Sequence, residues 1–323
     1  MRRFRMWGTA AAVTSAAVVT AGTTLVLAGG QARGRTVVDT SVSTRISAAD
    51  AGAVQRYWTR ERMATATPLT GAEPGPAAPG IRAGGPSGRA PGAVRAQAVP
   101  TATAFAGIPT LGALFFNNGT GDHYCTASVV NSFSKKLLIT AAHCIHGGKG
   151  GAYSTKVAFV PRYDQGKRPY GTWAAGMMLV DQRWQATGDA DLDFGYIALN
   201  PLNGKLVQDV VGYNKLAANQ GVGKWVNVTG YPRITYDKRD RPIYCRVQTA
   251  RQSAYQIRMD CGGFYGGTSG SPWLLNYSTT THTGVVNGVI GGYQGGGTTH
   301  SRSYSPYFDD DAYNLRTAAD KRA

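Results

Sequence analysis

Beyond about residue 107 the chain is a succession of short apolar runs, each closed by Gly, Asn, Pro or Asp. Such runs occupy 111–116, 127–130, 137–140, 157–160, 177–180, 194–199 and 225–229. Their length suits strands and is too short for helices. Many short strands at near-regular spacing imply an all-β sandwich or a pair of barrels. No glycine fingerprint opens a helix, which argues against a nucleotide-binding α/β fold. The exception is the end of the chain. Asp309, Asp310 and Asp311 precede a helical pattern over 309–320, and acidic residues suit a helix N-terminus and its dipole. A calcium site built from these three aspartates is the alternative; the capped terminal helix is the reading adopted.

Two stretches interrupt the strand pattern. Gly266-Gly267-Thr268-Ser269-Gly270-Ser271-Pro272 cannot be a helix interior or a regular strand, because glycine at this density marks left-handed backbone or close approach. A serine on such a turn exposes its hydroxyl beside consecutive backbone N–H groups, as acyl transfer requires. A Gly/Ser surface loop is the plain alternative. The second stretch, Leu137-Leu138-Ile139-Thr140-Ala141-Ala142-His143-Cys144, reads as a buried strand running into a tight turn that presents His143.

Together these stretches resemble the signatures of chymotrypsin-like serine peptidases, T-A-A-H-C around a general base and G-x-S-G-x-P around a nucleophile. The resemblance spans roughly 105–323, and the Thr-Ser-Gly-Ser-Pro version is similar to a secreted bacterial branch that includes glutamyl endopeptidases. It implies two packed antiparallel β-barrels, the first about 105–215 and the second about 216–305. His143 and Ser269 take the roles of base and nucleophile, with Gly267 and Ser269 N–H groups as the oxyanion hole. Ser271 falls where the family has a small residue, and His146, past the turn, is expected on the surface. The third member must be a carboxylate that orients the imidazole. Asp193 directly precedes an apolar strand and matches the family pattern, so it can be buried while Asp189 and Asp191 stay solvated; Asp191 is the second choice.

Alignment with the family puts the substrate pocket at Gly263, Phe264, Ile290, Gly291 and Tyr293. No acidic residue marks its base, which disfavours a preference for Lys or Arg. Ile290 stands where glutamyl endopeptidases carry a histidine. Against that, the chain's two glutamates, Glu61 and Glu73, both precede the peptidase region, so an enzyme cutting after glutamate would spare itself. Trypsins pair a freed N-terminus with an aspartate before the nucleophile; here Thr268 occupies that position and no Ile-Val-Gly-Gly start exists. The oxyanion site is therefore expected to form without N-terminal insertion.

Four cysteines, at 125, 144, 245 and 261, form no C-x-x-C pair, which weakens a zinc reading. An even count behind an export signal argues for two disulfides. Of three connectivities the local one, Cys125–Cys144 and Cys245–Cys261, is the one expected; its first bridge would pin the strand that carries His143 and matches the family's habit. Each bridge would contribute about 3 kcal/mol in the chain-entropy picture.

Arg2, Arg3 and Arg5 precede an apolar run to about Gly29, with Gly30-Gln31-Ala32 as a cleavage site. Residues 1–32 thus read as a signal peptide, favoured over a membrane anchor because the run is weakly hydrophobic. Residues 33–104 read as a largely disordered propeptide. It contains a short helix capped near Ser47 or Asp50, then a Gly/Pro/Ala-rich linker over about 68–100 that cannot bury enough apolar surface to order itself. The mature start is expected between Ala90 and Gly107.

Net charge is +16, but residues 1–106 hold 12 Lys+Arg against 4 Asp+Glu, leaving 22 against 14 for twice the length. The basic excess is concentrated in the segment expected to be removed, and no nucleic-acid motif accompanies it. The expected protein is a secreted, extracellular serine endopeptidase that needs no cofactor or metal. It would act as a monomer on protein or peptide substrates, with no membrane span after export. A catalytically silent relative that binds extracellular polymers or proteins, and an esterase, are the alternatives.

Overall fold

A computed structural model describes residues 39–69, 99–232 and 240–323. The expected signal peptide, its expected cleavage site and the body of the Gly/Pro/Ala-rich stretch lie outside the described residues.

The segment before the linker departs from the expectation of disorder. It contributes strand β1 (Ser41–Arg45), helices α1 (Ala48–Tyr57) and α2 (Arg60–Thr65) and the short strand β2 (Thr67–Pro68). The Ser47 hydroxyl accepts the Asp50 N–H and caps α1, as its sequence implies. Ala51, Val54 and Trp58 lie on one side of it and are buried. The Trp58 ring is fully buried, 5.3 Å from the Phe115 ring, and its Nε1 donates to the Lys156 carbonyl at 2.5 Å. Met63 of α2 is buried too, and Arg62 pairs with Asp122. The ordering entropy is offset here because the segment buries its apolar residues against the barrel instead of itself. Replacing Trp58 with alanine is expected to cost the full chain about 3–5 kcal/mol. Denaturant unfolding checks this, and a loss under about 1 kcal/mol would show that the ring does not hold the segment.

After β3 (Thr103–Ala104) come β4 (Leu111–Asn117), β5 (Asp122–Val129), β6 (Leu137–Thr140), β7 (Thr155–Pro161), β8 (Trp173–Asp181) and β9 (Gly195–Leu199). They pair in the order β8-β7-β4-β5-β6-β9, and β9 returns to β8, closing an antiparallel ring. The larger hydrophobic cluster fills the ring and continues onto the elements packed against it, with Leu114, Phe116, Leu138, Phe159 and Ile197 from the strands, Trp58 from the N-terminal segment and Leu315 from the C-terminal helix among its members. β1 adds to the β8 edge, and β2 lies parallel to β5 at His123 and Tyr124.

The second half is built from β10 (Lys215–Leu216), β11 (Trp225–Gly230), β12 (Ile243–Gln248), β13 (Ala250–Arg251), β14 (Gln256–Asp260), β15 (Pro272–Ser278), β16 (Thr283–Val289) and β17 (Arg302–Pro306). Strand pairing does not close it: β10-β16-β15-β11-β12-β3 form one sheet and β13-β14-β17 another. A side chain joins them, the Ser305 hydroxyl accepting the Val289 N–H. A second, smaller hydrophobic cluster lies here.

Three short α-helices complete the chain: α3 (Gln182–Thr187), α4 (Val207–Val211) and the terminal α5 (Asp310–Arg322). The Asp309 carboxylate caps α5, while Ala312, Leu315 and Ala319 are buried along one face. The side chains of Asp310 and Asp311 bond Asn219 and Arg183, which matches the helix reading of this acidic run. No helix among the described residues is long and apolar enough to cross a membrane.

Candidate active site

β6 ends at Thr140, and a 3-10 turn over Ala142–Cys144 carries His143. The Cys125–Cys144 disulfide ties that turn to β5, and Cys245–Cys261 ties β12 to the approach of the serine turn. β9 is preceded by Asp193, whose side chain is 1 % exposed. Three N–H groups converge on it. Oδ1 accepts the His143 backbone N–H at 2.9 Å, and Oδ2 accepts Gly292 N–H at 2.8 Å and sits 2.7 Å from His143 Nδ1. An ionised carboxylate can only accept, so the imidazole proton sits on Nδ1 and Nε2 keeps its lone pair. His143 Nε2 is buried and has no hydrogen-bond partner among the described residues.

Gly291 makes this approach possible. A Cβ there would lie 3.0 Å from Asp193 Oδ2 and 2.9 Å from its carbonyl oxygen. Gln256, which sequence reasoning missed, bridges the acidic loop to the same strand exit. Its Nε2 donates to the Ala190 carbonyl and Asp191 Oδ1, and its Oε1 accepts Tyr293 N–H. Asp189 caps the 3-10 turn over Ala190–Leu192.

The serine turn lies between the two halves. Ser269 is buried, its carbonyl accepts Thr126 N–H at 2.8 Å, and Gly270 N–H donates to the Ile290 carbonyl at 2.7 Å. A Cβ on Gly270 would stand 3.1 Å from Ala141 N, two residues before His143, and would strike Thr126 O and Thr140 Oγ1. Gly267 sits at φ +94°, and a Cβ would run into the Tyr124 ring and Tyr231 O. Neither Gly267 N–H nor Ser269 N–H has a partner among the described residues. The Ser271 hydroxyl is buried and likewise unpartnered there.

Among the residues expected to line the substrate pocket, Gly263 adjoins Phe264 and Gly291 adjoins Ile290. Phe264 and Ile290 belong to the second hydrophobic cluster. Gly263 N–H faces His300 Nδ1 at 3.3 Å, and the His300 ring stacks on Tyr265 at 4.5 Å. Tyr293 is exposed. A cavity of about 550 Å³ opens on the imidazole side, lined by His143, Asp193, Trp184, Gln294 and Gly295, with Leu69 of the N-terminal segment at its wall. His146 corrects an expectation. It is 1 % exposed instead of lying at the surface, because Tyr153 packs edge-on at 4.6 Å and the Trp184 indole donates to its carbonyl. Burial lowers its pKa.

Over residues 101–308 the sequence matches the family model described as Trypsin. The chain belongs to the trypsin family. Two solved proteases are similar to it at comparable level. Protease Anisep from Arthrobacter nicotinovorans is 28 % identical with a TM-score of 0.61, covering 68 % of this chain and all of that one. The thermostable serine protease AL20, from an extremophilic microorganism, is 29 % identical, also at 0.61, covering 67 % and 98 %. A Glu endopeptidase shares the fold at a TM-score of 0.55 and 16 % identity, over 69 % of this chain and 97 % of that one. An extracellular metalloprotease of Bacillus subtilis (strain 168) is 29 % identical over 177 residues, 55 % of this chain. The chain spans about half the length of that relative, 54 %. This trypsin-family chain thus has a chymotrypsin-like fold of the kind found in bacterial proteases.

Proposed function

We propose that the chain is a secreted, extracellular serine endopeptidase that hydrolyses peptide bonds through an acyl-enzyme. Ser269 Oγ attacks the substrate carbonyl carbon while His143 Nε2 takes its proton. The tetrahedral oxyanion is received by Gly267 and Ser269 N–H. As the C–N bond breaks, the imidazolium returns the proton to the leaving amine. Water then attacks the ester, again giving its proton to Nε2, and the acid leaves as Ser269 recovers its hydrogen. Asp193 keeps Nδ1 protonated and stabilises the imidazolium.

The observation that carries this reading is the set of three N–H donors on Asp193, which leaves a buried Nε2 with a free lone pair beside the strand end against which the serine turn packs. Metal chemistry, suggested by the Bacillus relative's name, does not suit the residues here. The one grouping of ligand-type side chains among the described residues is Cys125, His143 and Cys144. Both sulfurs are spent in a disulfide, and the imidazole Nδ1 is engaged by Asp193. We further infer that residues 33–104 are a pro-segment whose folded part, 39–69, stays docked on the first barrel and brings Leu69 to the catalytic cavity.

The test is parallel assay of the secreted protein on casein and on short-chain esters, with N-terminal sequencing. Casein cleavage together with a start between Ala90 and Gly107 is expected. Ester hydrolysis without casein cleavage would replace the reading by an esterase. Neither activity would leave a silent binding protein.

A further inference from the structure

The trypsin mode of shaping the oxyanion turn, a buried ammonium paired with the residue before the nucleophile, has no counterpart here. That residue is Thr268, and its hydroxyl donates to the Tyr265 carbonyl at 2.8 Å. Another residue grips the turn. Thr126, on β5 next to Cys125, is fully buried and spends every polar group it has. Its hydroxyl donates to the Gly267 carbonyl at 3.1 Å and accepts Tyr231 N–H at 2.9 Å. Its amide donates to the Ser269 carbonyl at 2.8 Å, and its own carbonyl accepts the Thr140 hydroxyl at 2.8 Å.

Two carbonyls of the turn, at 267 and 269, are therefore held by one residue of the opposite half, while the N–H groups of the same two residues remain without partners among the described residues. Gly267 needs such a hold. At φ +94° it has no Cβ to resist rotation of the peptide planes that meet at it. The hydrogen bond to its carbonyl, in a buried, low-dielectric site, fixes the plane that follows Gly267 and leaves rotation about the Gly267 N–Cα bond as the freedom of the plane that carries its N–H. Preorganised donors stabilise a developing oxyanion because they need not reorient when charge appears.

We propose that the Thr126 hydroxyl is a positioning group for the oxyanion hole: by bonding the Gly267 carbonyl and Tyr231 N–H together, it anchors the Gly267 Cα and the peptide plane that follows it, and so limits the directions in which the Gly267 N–H, in the preceding plane, can point. It touches no substrate atom. The inference rests on the peptidase reading above and deepens it.

The test compares Thr126→Val, which keeps the shape and removes the hydroxyl, with Thr126→Ser, which keeps the hydroxyl. On a peptide anilide, valine is expected to lower kcat by about 10–10²-fold, less than the loss of a whole oxyanion donor. KM should stay within about twofold, because the hydroxyl acts in the transition state. Affinity for a peptide aldehyde, whose adduct carries the oxyanion, should fall by the same factor as kcat/KM, and serine should restore both. A merely structural threonine would change thermal stability and leave the ratio of aldehyde to substrate affinity untouched. Valine with wild-type kcat, or a fall in kcat with unchanged aldehyde affinity, overturns the proposal. Should the valine chain fail to fold, Thr126→Cys, of similar shape with a weaker donor, is read by the same two outcomes. Wild-type protein inactive on every peptide and ester would instead refute the peptidase reading itself.

Discussion

Ser269→Ala is expected to lower kcat on a peptide anilide by about 10⁵–10⁶-fold, with KM little changed. The substitution removes one oxygen and leaves the backbone of the turn intact. The turn's backbone bonds, Thr126 N–H to the Ser269 carbonyl and Gly270 N–H to the Ile290 carbonyl, do not depend on it. Thermal unfolding should therefore match the wild type. A variant retaining more than about a hundredth of the wild-type kcat would mean that another group makes the covalent bond, or that none does.

Asp193→Asn is expected to cost about 10⁴-fold in kcat, with the fold retained. Asp193 receives three N–H donors: the His143 backbone, His143 Nδ1 and Gly292. An amide can accept at one end only. With its oxygen toward the His143 backbone, its NH₂ faces Nδ1, which must then give up its proton. The proton moves to Nε2, and the base loses the lone pair it needs for the Ser269 hydroxyl. With the oxygen toward Nδ1, the NH₂ meets the His143 backbone N–H and a donor faces a donor. Steady-state kinetics on the purified variant decides this, and a loss smaller than tenfold would remove Asp193 from the mechanism. The same assay on Asp191→Asn should show little change, since Asp191 bonds the Gln256 amide.

Much of this arrangement is legible in the sequence. A strand ending in Thr-Ala-Ala-His-Cys, an aspartate directly before the strand Gly195–Leu199 and a glycine-flanked serine each constrain the local backbone, and local backbone is what sequence patterns encode. The aspartates at 309–311 likewise declare the helix they begin. The helix after Ser47 is legible through its cap and its spacing of Ala51, Val54 and Trp58. Its docking is not, because the surface that receives Trp58 comes from Phe115 and Lys156, far along the chain. The pairing of Ser41–Arg45 with Trp173–Asp181 rests on backbone bonds that side chains do not announce.

Thr126 illustrates the same limit at the site. In the sequence it is one more β-branched residue in a strand. Its hydroxyl partners, Gly267 and Tyr231, lie 141 and 105 residues away. The burial of His146 is hidden for a related reason, since the Trp184 indole that bonds its carbonyl lies 38 residues away. The substrate pocket rests on family alignment alone. Ile290 and Phe264 turn inward to the second hydrophobic cluster, and His300 reaches Gly263 from the loop before Arg302–Pro306.

The most direct test of the account is covalent labelling. The secreted protein is treated with a biotinylated fluorophosphonate or a sulfonyl fluoride, digested and sequenced by tandem mass spectrometry. One adduct per chain is predicted, on the peptide bearing Ser269, abolished in Ser269→Ala and strongly slowed in Asp193→Asn. No adduct on an enzyme that cleaves casein, or an adduct at Ser271 or elsewhere with Ser269 untouched, would contradict it.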